Sequence, residues 1–174
     1  MPTNFEVMRY QTDIPTKVAG QISGMFERNY PESHLAADRI VDIQKRSGAT
    51  AIRSLLDEGR TLYVAAPTFE RRNPAVLGFL ESRIIDADPG TYEQISWIMT
   101  AREHQRQGIA STLHSVFMHD ALLRTAQRSP RPTDALLSVH AQNPAKTLYQ
   151  RWGYQEVERT SANMILMTQS LTNN

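Results

Sequence analysis

Three strand-like runs follow one another between Thr61 and Thr100, separated by dense turn chemistry. Thr61 to Ala66 is apolar and ends at a polar turn from Pro67 to Pro74. Val76 to Ile85 comes next, then Asp86-Ala87-Asp88-Pro89-Gly90, then Tyr92 to Thr100. Short apolar runs bounded by Pro, Gly and Asp read as neighbouring strands of an antiparallel meander. In the third run Ile95, Trp97 and Met99 share one face, because side chains alternate along a strand. Such a sheet must be covered, and the rest of the chain supplies the cover.

Phe5 to Tyr10 reads as a further strand. Asp13 is placed to cap a helix with Pro15 in its first turn. Val18, Ile22, Met25 and Phe26 then recur at helical spacing, and Asn29-Tyr30-Pro31 ends the run. Ser33 to Ile43 reads as a second helix broken at Ser47-Gly48, and Thr50 to Leu56 as a third closed by Gly59. After the meander a helix is expected from about Arg106 to Arg128, with Ile109, Leu113, Val116, Phe117 and Leu123 as its apolar stripe. Asp120 falls on that stripe, and a partner near the sheet edge is the one account of it. Ala135 to Ala141 is a strand, and Asn143-Pro144 opens a short helix to Trp152 that Gly153 ends. Tyr154 to Val157 and Met164 to Met167 are the last strands. This order predicts an α/β fold: a single mixed, mostly antiparallel central sheet flanked by helices.

A chain of 174 residues corresponds to about one domain. Nineteen basic against eighteen acidic residues leave a formal charge of +1, so bulk charge does not argue for a nucleic-acid partner. No run approaches the roughly 20 apolar residues of a membrane span. The first ten residues lack the pattern of a signal peptide, and a cytoplasmic protein is the expectation. The absence of Cys removes disulfides, thiolate metal sites and Cys nucleophiles. His114 and His119 are five apart on a helix and do not share a face, so no metal is expected.

Gln105-Arg106-Gln107-Gly108-Ile109-Ala110-Ser111 lies between a strand and a long helix. A helix N-terminus offers unpaired N–H groups and about half a positive charge. Gly108 allows close approach, Ala110 and Ser111 are small, and Arg106 adds charge. This can cradle a pyrophosphate. It is neither a Walker A loop nor a dinucleotide fingerprint, and a glycine at a turn also has a plain structural reading.

Asn143-Pro144-Ala145-Lys146-Thr147-Leu148-Tyr149-Gln150-Arg151-Trp152-Gly153-Tyr154 is more specific. With the glycine turn, this segment resembles the GNAT superfamily of N-acetyltransferases. Gln105, Gly108 and Ala110 match the family's first signature, and Asn143, Ala145, Leu148, Tyr149, Gly153 and Tyr154 its second. The match covers about Ile95 to Val157, and Gln105 replaces the commoner Arg. The resemblance implies one domain over residues 1–174, with acceptor-side helices at about 13–58 and a cofactor-binding core at about 61–158. It implies acetyl transfer from acetyl-CoA, as co-substrate, to the primary amine of a small molecule or peptide. The pantetheine arm would lie along Ile98, Met99 and Thr100, and amides from Arg106 to Ser111 would hold the diphosphate.

A thioester is already activated, so an amine can attack it directly in a ternary complex. The enzyme must align the two, accept the ammonium proton, stabilise the oxyanion and protonate the thiolate. The resemblance gives the last role to Tyr149. However, Ala145, Leu148, Tyr149 and Trp152 also form a helical stripe that fits plain core. Asn143 reads as a helix cap compatible with cofactor contact. Glu93 is the expected base, with Glu81 and His140 as weaker candidates. The acceptor is expected at Val18 to Leu56 and at the Asp86 to Gly90 turn, and a homodimer is left open. The competing readings are a CoA-binding sensor or scaffold without catalysis and a plain nucleotide binder.

Overall fold

The computed structural model describes residues 4–29, 45–68, 74–88, 90–127, 130–160 and 162–171. The helix expected at Ser33 to Ile43 and residues 69–73 of the turn from Pro67 to Pro74 lie outside them. Seven strands form one sheet: β1 (Phe5–Tyr10), β2 (Thr61–Pro67), β3 (Gly78–Ala87), β4 (Gly90–Thr100), β5 (Asp134–His140), β6 (Gln155–Arg159) and β7 (Met164–Ser170). Their order is β1-β2-β3-β4-β5-β7-β6. Antiparallel ladders join β1 to β2, β5 to β7 and β7 to β6, while β4 and β5 run parallel. The mixed, mostly antiparallel sheet is the one the sequence predicts. The described helices are α1 (Thr16–Asn29), α2 (Ala49–Asp57), α3 (Ile109–Gln127) and α4 (Ala145–Arg151).

The chain divides into two compact units, residues 1–81 with 97–115, and residues 82–96 with 116–174. In the first, α1 and α2 pack a core with β2 and parts of β3 and β4. Val18, Ile22, Met25 and Phe26 are all at most 1% exposed. Each such side chain contributes roughly 1.5–3 kcal/mol on burial. That outweighs the roughly 1 kcal/mol that each of Gly20 and Gly24 costs the helix. Pro15, rather than Asp13, starts α1: its carbonyl accepts the Ala19 N–H at 3.0 Å. Asp13 instead reaches Arg53 at 3.5 Å in solvent. At the end of α2, Gly59 has φ +78, with Gly59 N–H bonded to Leu56 and Arg60 N–H to Leu55. That left-handed stop matches the expected glycine closure.

In the second unit, Ala135, Leu137 and Val139 of β5 and Ile165 and Met167 of β7 are buried. The stripe of α3 needs one correction. Its buried line is Ile109, Leu113, Phe117 and Ala121, a strict four-residue step, and Leu123 is 51% exposed. Asp120 is explained by its neighbour one turn on, Arg124, at 4.0 Å.

Candidate active site

Strand β4 leads to the glycine turn. Thr91, Glu93, Ile95, Trp97 and Met99 are buried on one face, and Ile98 and Thr100 are half-buried on the other. The β4–β5 ladder runs from Tyr92 opposite Asp134 to Ile95 opposite Leu137. Strand β4 continues for five residues past Ile95, to Thr100. Among the described residues, that stretch has no ladder to β5. A short 3-10 turn at Arg102–His104 follows. Gln105 to Gly108 are exposed. Arg106 has φ +60 and Gly108 φ +81. A left-handed arginine costs roughly 1–2 kcal/mol, a strain that concentrates at functional turns. The Gly108 carbonyl accepts the Thr112 N–H at 3.0 Å, so the helix opens there. The amides of Ile109, Ala110 and Ser111 thus occupy its first turn, where no intrahelical acceptor exists. A Cβ on Gly108 would meet nothing within 4 Å, and Ser111 is exposed. Room, turn amides and a helix N-terminus together suit an anion. Ile109 is buried, so only its backbone is available there.

Gly78 backs this turn and escaped the sequence reading. A Cβ there would stand 2.8 Å from the Met99 carbonyl oxygen and 2.9 Å from Ile109 Cγ2. Only glycine lets β3 approach both β4 and the start of α3 this closely.

The second unit contains the other signature segment. Asn143 Oδ1 accepts the Ala145 N–H at 2.9 Å, the capping bond expected of it. Gly153 has φ +98. Its N–H donates to Gln150, and the Tyr154 N–H donates to Tyr149 at 3.1 Å. This paired closure ends α4 and brings the aromatic after the glycine onto the helix's last turn. The Tyr149 ring lies 5.6 Å from Trp152 and 6.4 Å from Tyr154. Tyr154 is buried, and burial, with Tyr149 adding, pushes its hydroxyl above the usual phenol range. Tyr149 itself is half-buried.

The carboxylates are held by arginines. Glu93 is 1% exposed, and Arg124 takes both its oxygens, Nε at 2.7 Å and Nη2 at 3.2 Å. Glu93 pairs in register with Ala135, while α4 follows β5 beyond His140. Strand β6, into which α4 leads, comes back to the level of Glu93 in the sheet: Gln155 pairs with Thr168, and Thr168 with Leu136. Glu81 is buried too, bound by Arg46 and Arg60. His140 is exposed, its Nδ1 accepting the Gln142 N–H at 3.3 Å. Asp86, Ala87, Asp88 and Gly90 border an open hollow with Pro130, Arg131 and Thr133, just before β5. Of the arginines, only Arg124 had a local signal, its spacing from Asp120. Arg46 and Arg60 pair across 35 and 21 residues, which no local pattern reports.

Strand β4 thus leads into a strained, exposed glycine turn and then a long helix. The acetyltransferase (GNAT) domain family matches residues 49–156, more than half of the chain, and the chain belongs to that family. It is an acyltransferase family, and acyl transfer is the corresponding activity. No curated protein matches the sequence significantly. The fold is similar to a GNAT-family acetyltransferase of Staphylococcus aureus, at TM-score 0.68 and 10% identity over 97% of this chain and 100% of that one. It is similar to the PaiA N-acetyltransferase of Thermoplasma acidophilum in complex with coenzyme A, at 0.65 and 14% over 95% and 99%. It is also similar to the ribosomal-protein-S18-alanine N-acetyltransferase of Escherichia coli, at 0.63 and 15% over 97% and 96%. Among the described residues no helix is long and apolar enough to cross a membrane, and no His, Cys, Asp or Glu cluster suits a metal ion.

Proposed function

We propose that this chain is an N-acetyltransferase that moves an acetyl group from acetyl-CoA to a primary amine of a small molecule or peptide. The observation that carries the reading is the exposed turn at Arg106 and Gly108, both left-handed, opening onto the first turn of α3. The backbone there satisfies no internal steric demand, since Gly108 faces open space. Amides from Arg106 to Ser111, with Gln105 and Gln107 beside them, hold the diphosphate. Ile98, Met99 and Thr100 offer strand backbone to the pantetheine arm, and Asn143 combines capping with cofactor contact.

Acetyl-CoA supplies an acyl carbon already activated as a thioester. The amine lone pair forms the C–N bond, the C–S bond breaks, and the electron pair leaves on sulfur. Tyr149 gives that sulfur its proton, so the product leaves as a free thiol. The ammonium loses its proton to water or to solvent-linked groups. Glu93 and Glu81 are left out of that role because arginines occupy their oxygens. A near-neutral chain fits a small or peptidic acceptor better than a nucleic acid. The test is thiol release from acetyl-CoA over a panel of primary amines. Amine-dependent release supports the proposal. Tight CoA binding without turnover on any amine replaces it with a CoA sensor, and competition by ATP but not CoA makes the chain a nucleotide binder.

A further inference from the structure

Arg46 is 1% exposed, an extreme position for a guanidinium. Its Nε and Nη2 reach the Glu81 carboxylate at 2.8 and 2.7 Å. Arg60 Nη1 adds a third hydrogen bond at 2.5 Å and leans on Glu58 at 3.3 Å. The Arg46 guanidinium also lies over two rings, Phe26 at 5.8 Å and Trp97 at 5.6 Å. Phe26 meets Trp97 edge-on at 5.1 Å. Two residues past Arg46, the Gly48 N–H donates to Ser23 Oγ of α1 at 2.7 Å and α2 begins. One buried cation thus ties α1, the entry to α2, β3 and the Trp97 position of β4 together.

A fold needs no charge at such a point. A buried pair replaced by apolar side chains of similar volume is often as stable or more so, while removal of one partner costs roughly 3–5 kcal/mol. What the pair adds is direction: a two-pronged guanidinium accepts one orientation of the carboxylate. We infer that Arg46 and Glu81 are positioning residues. They fix α1 and the start of α2 against β3 and β4, and so set how an amine acceptor meets the thioester. They take no part in proton transfer. The inference rests on the proposed acceptor side at Val18 to Leu56.

The experiment compares wild type with Arg46→Lys, Glu81→Gln and the paired Arg46→Met, Glu81→Met, using acetyl-CoA with hydroxylamine, spermidine and a hexapeptide of free N-terminus. Hydroxylamine is too small to need an acceptor wall. Arg46→Lys should raise KM for whichever larger amine is used by about tenfold, with hydroxylamine turnover and CoA affinity changed less than about twofold. The paired apolar variant should keep its Tm and show the same KM defect. A paired variant with normal Tm and normal KM reduces the pair to fold support and overturns the inference. Loss of turnover on every nucleophile in Glu81→Gln, with one limb of the pH profile gone, makes Glu81 the base and overturns it too. If wild type uses no amine, the proposed function fails by itself. Amide exchange then judges the anchor without substrate: Arg46→Lys should speed exchange at Gly48 and along α1 about tenfold, and unchanged exchange ends the idea.

Discussion

The two signature segments differ in what their residues do for the protein itself. From Asn143 to Tyr154 nearly every marked residue meets an internal need. Asn143 caps α4, Gly153 takes φ +98, and Tyr154 is buried with its amide on the Tyr149 carbonyl. From Gln105 to Gly108 the residues are exposed, one is strained, and the glycine faces open space. An exposed, strained turn with open space before its glycine points outward, to a ligand. A conformation that closes its own hydrogen bonds is scaffolding first, and a chemical role there rests on single atoms.

The Tyr149 hydroxyl is such an atom, and it gives the largest expected effect. Tyr149→Phe keeps the ring against Trp152 and Tyr154 and removes only the hydroxyl. Turnover should fall roughly 100-fold or more, the ordinary contribution of general acid catalysis, while CoA affinity holds. Steady-state kinetics beside calorimetric CoA titration separate the two. Unchanged turnover would make the whole second segment scaffolding.

The helix that the glycine turn opens, α3, carries a buried histidine, His114. Burial lowers His114 to about 4 from its usual 6.5, so it is neutral in the folded protein above that value. Above pH 6.5 neither folded nor unfolded chain binds this proton. Between 6.5 and 4 only the unfolded chain does, so stability falls with falling pH, by about 3 kcal/mol at most. Denaturant titrations across that window should show the slope, and His114→Gln should flatten it. An equal slope in both proteins would place the proton elsewhere.

Much of this was legible from local pattern. The alternation of Ile95, Trp97 and Met99 and the helical spacing from Val18 to Phe26 are short-range signals of burial, and all seven side chains are buried. The Asn143 cap and the Gly153 stop were legible for the same reason. The α3 stripe was read one step too wide at Leu123, because an apolar residue is equally permitted outside. Gly78 was invisible because its constraint comes from the Met99 carbonyl, 21 residues away in sequence. The Glu93 partner, Arg124, lies 31 residues on, and a sequence does not show which carboxylates are paired.

The two glycines behind and in the turn sharpen the comparison. Gly78→Ala forces a Cβ against backbone and should destabilise by about 1–3 kcal/mol, as overpacking does. At roughly 2–4 °C per kcal/mol for a chain of this size, a thermal melt resolves it. Gly108→Asn should do the reverse. Asn tolerates the left-handed region, so the melt should barely move, while its side chain enters the anion's approach and CoA affinity falls about tenfold. A Gly108 variant that melts early and binds normally would put this turn in the scaffolding class.

The smallest effect tests the scaffolding side. Asn143→Ala removes one capping bond and should cost about 1 kcal/mol. If capping is its whole contribution, CoA affinity stays where it was. If Asn143 also touches the cofactor, Asn143→Asp should restore the melt, since Asp caps as well as Asn. It should leave CoA binding weak, because a carboxylate repels the anionic ligand and cannot donate a hydrogen bond. Recovery of both in the Asp variant would confine Asn143 to the helix, and the division between inward-serving and outward-serving segments would then run between Gly108 and Asn143 without an overlap.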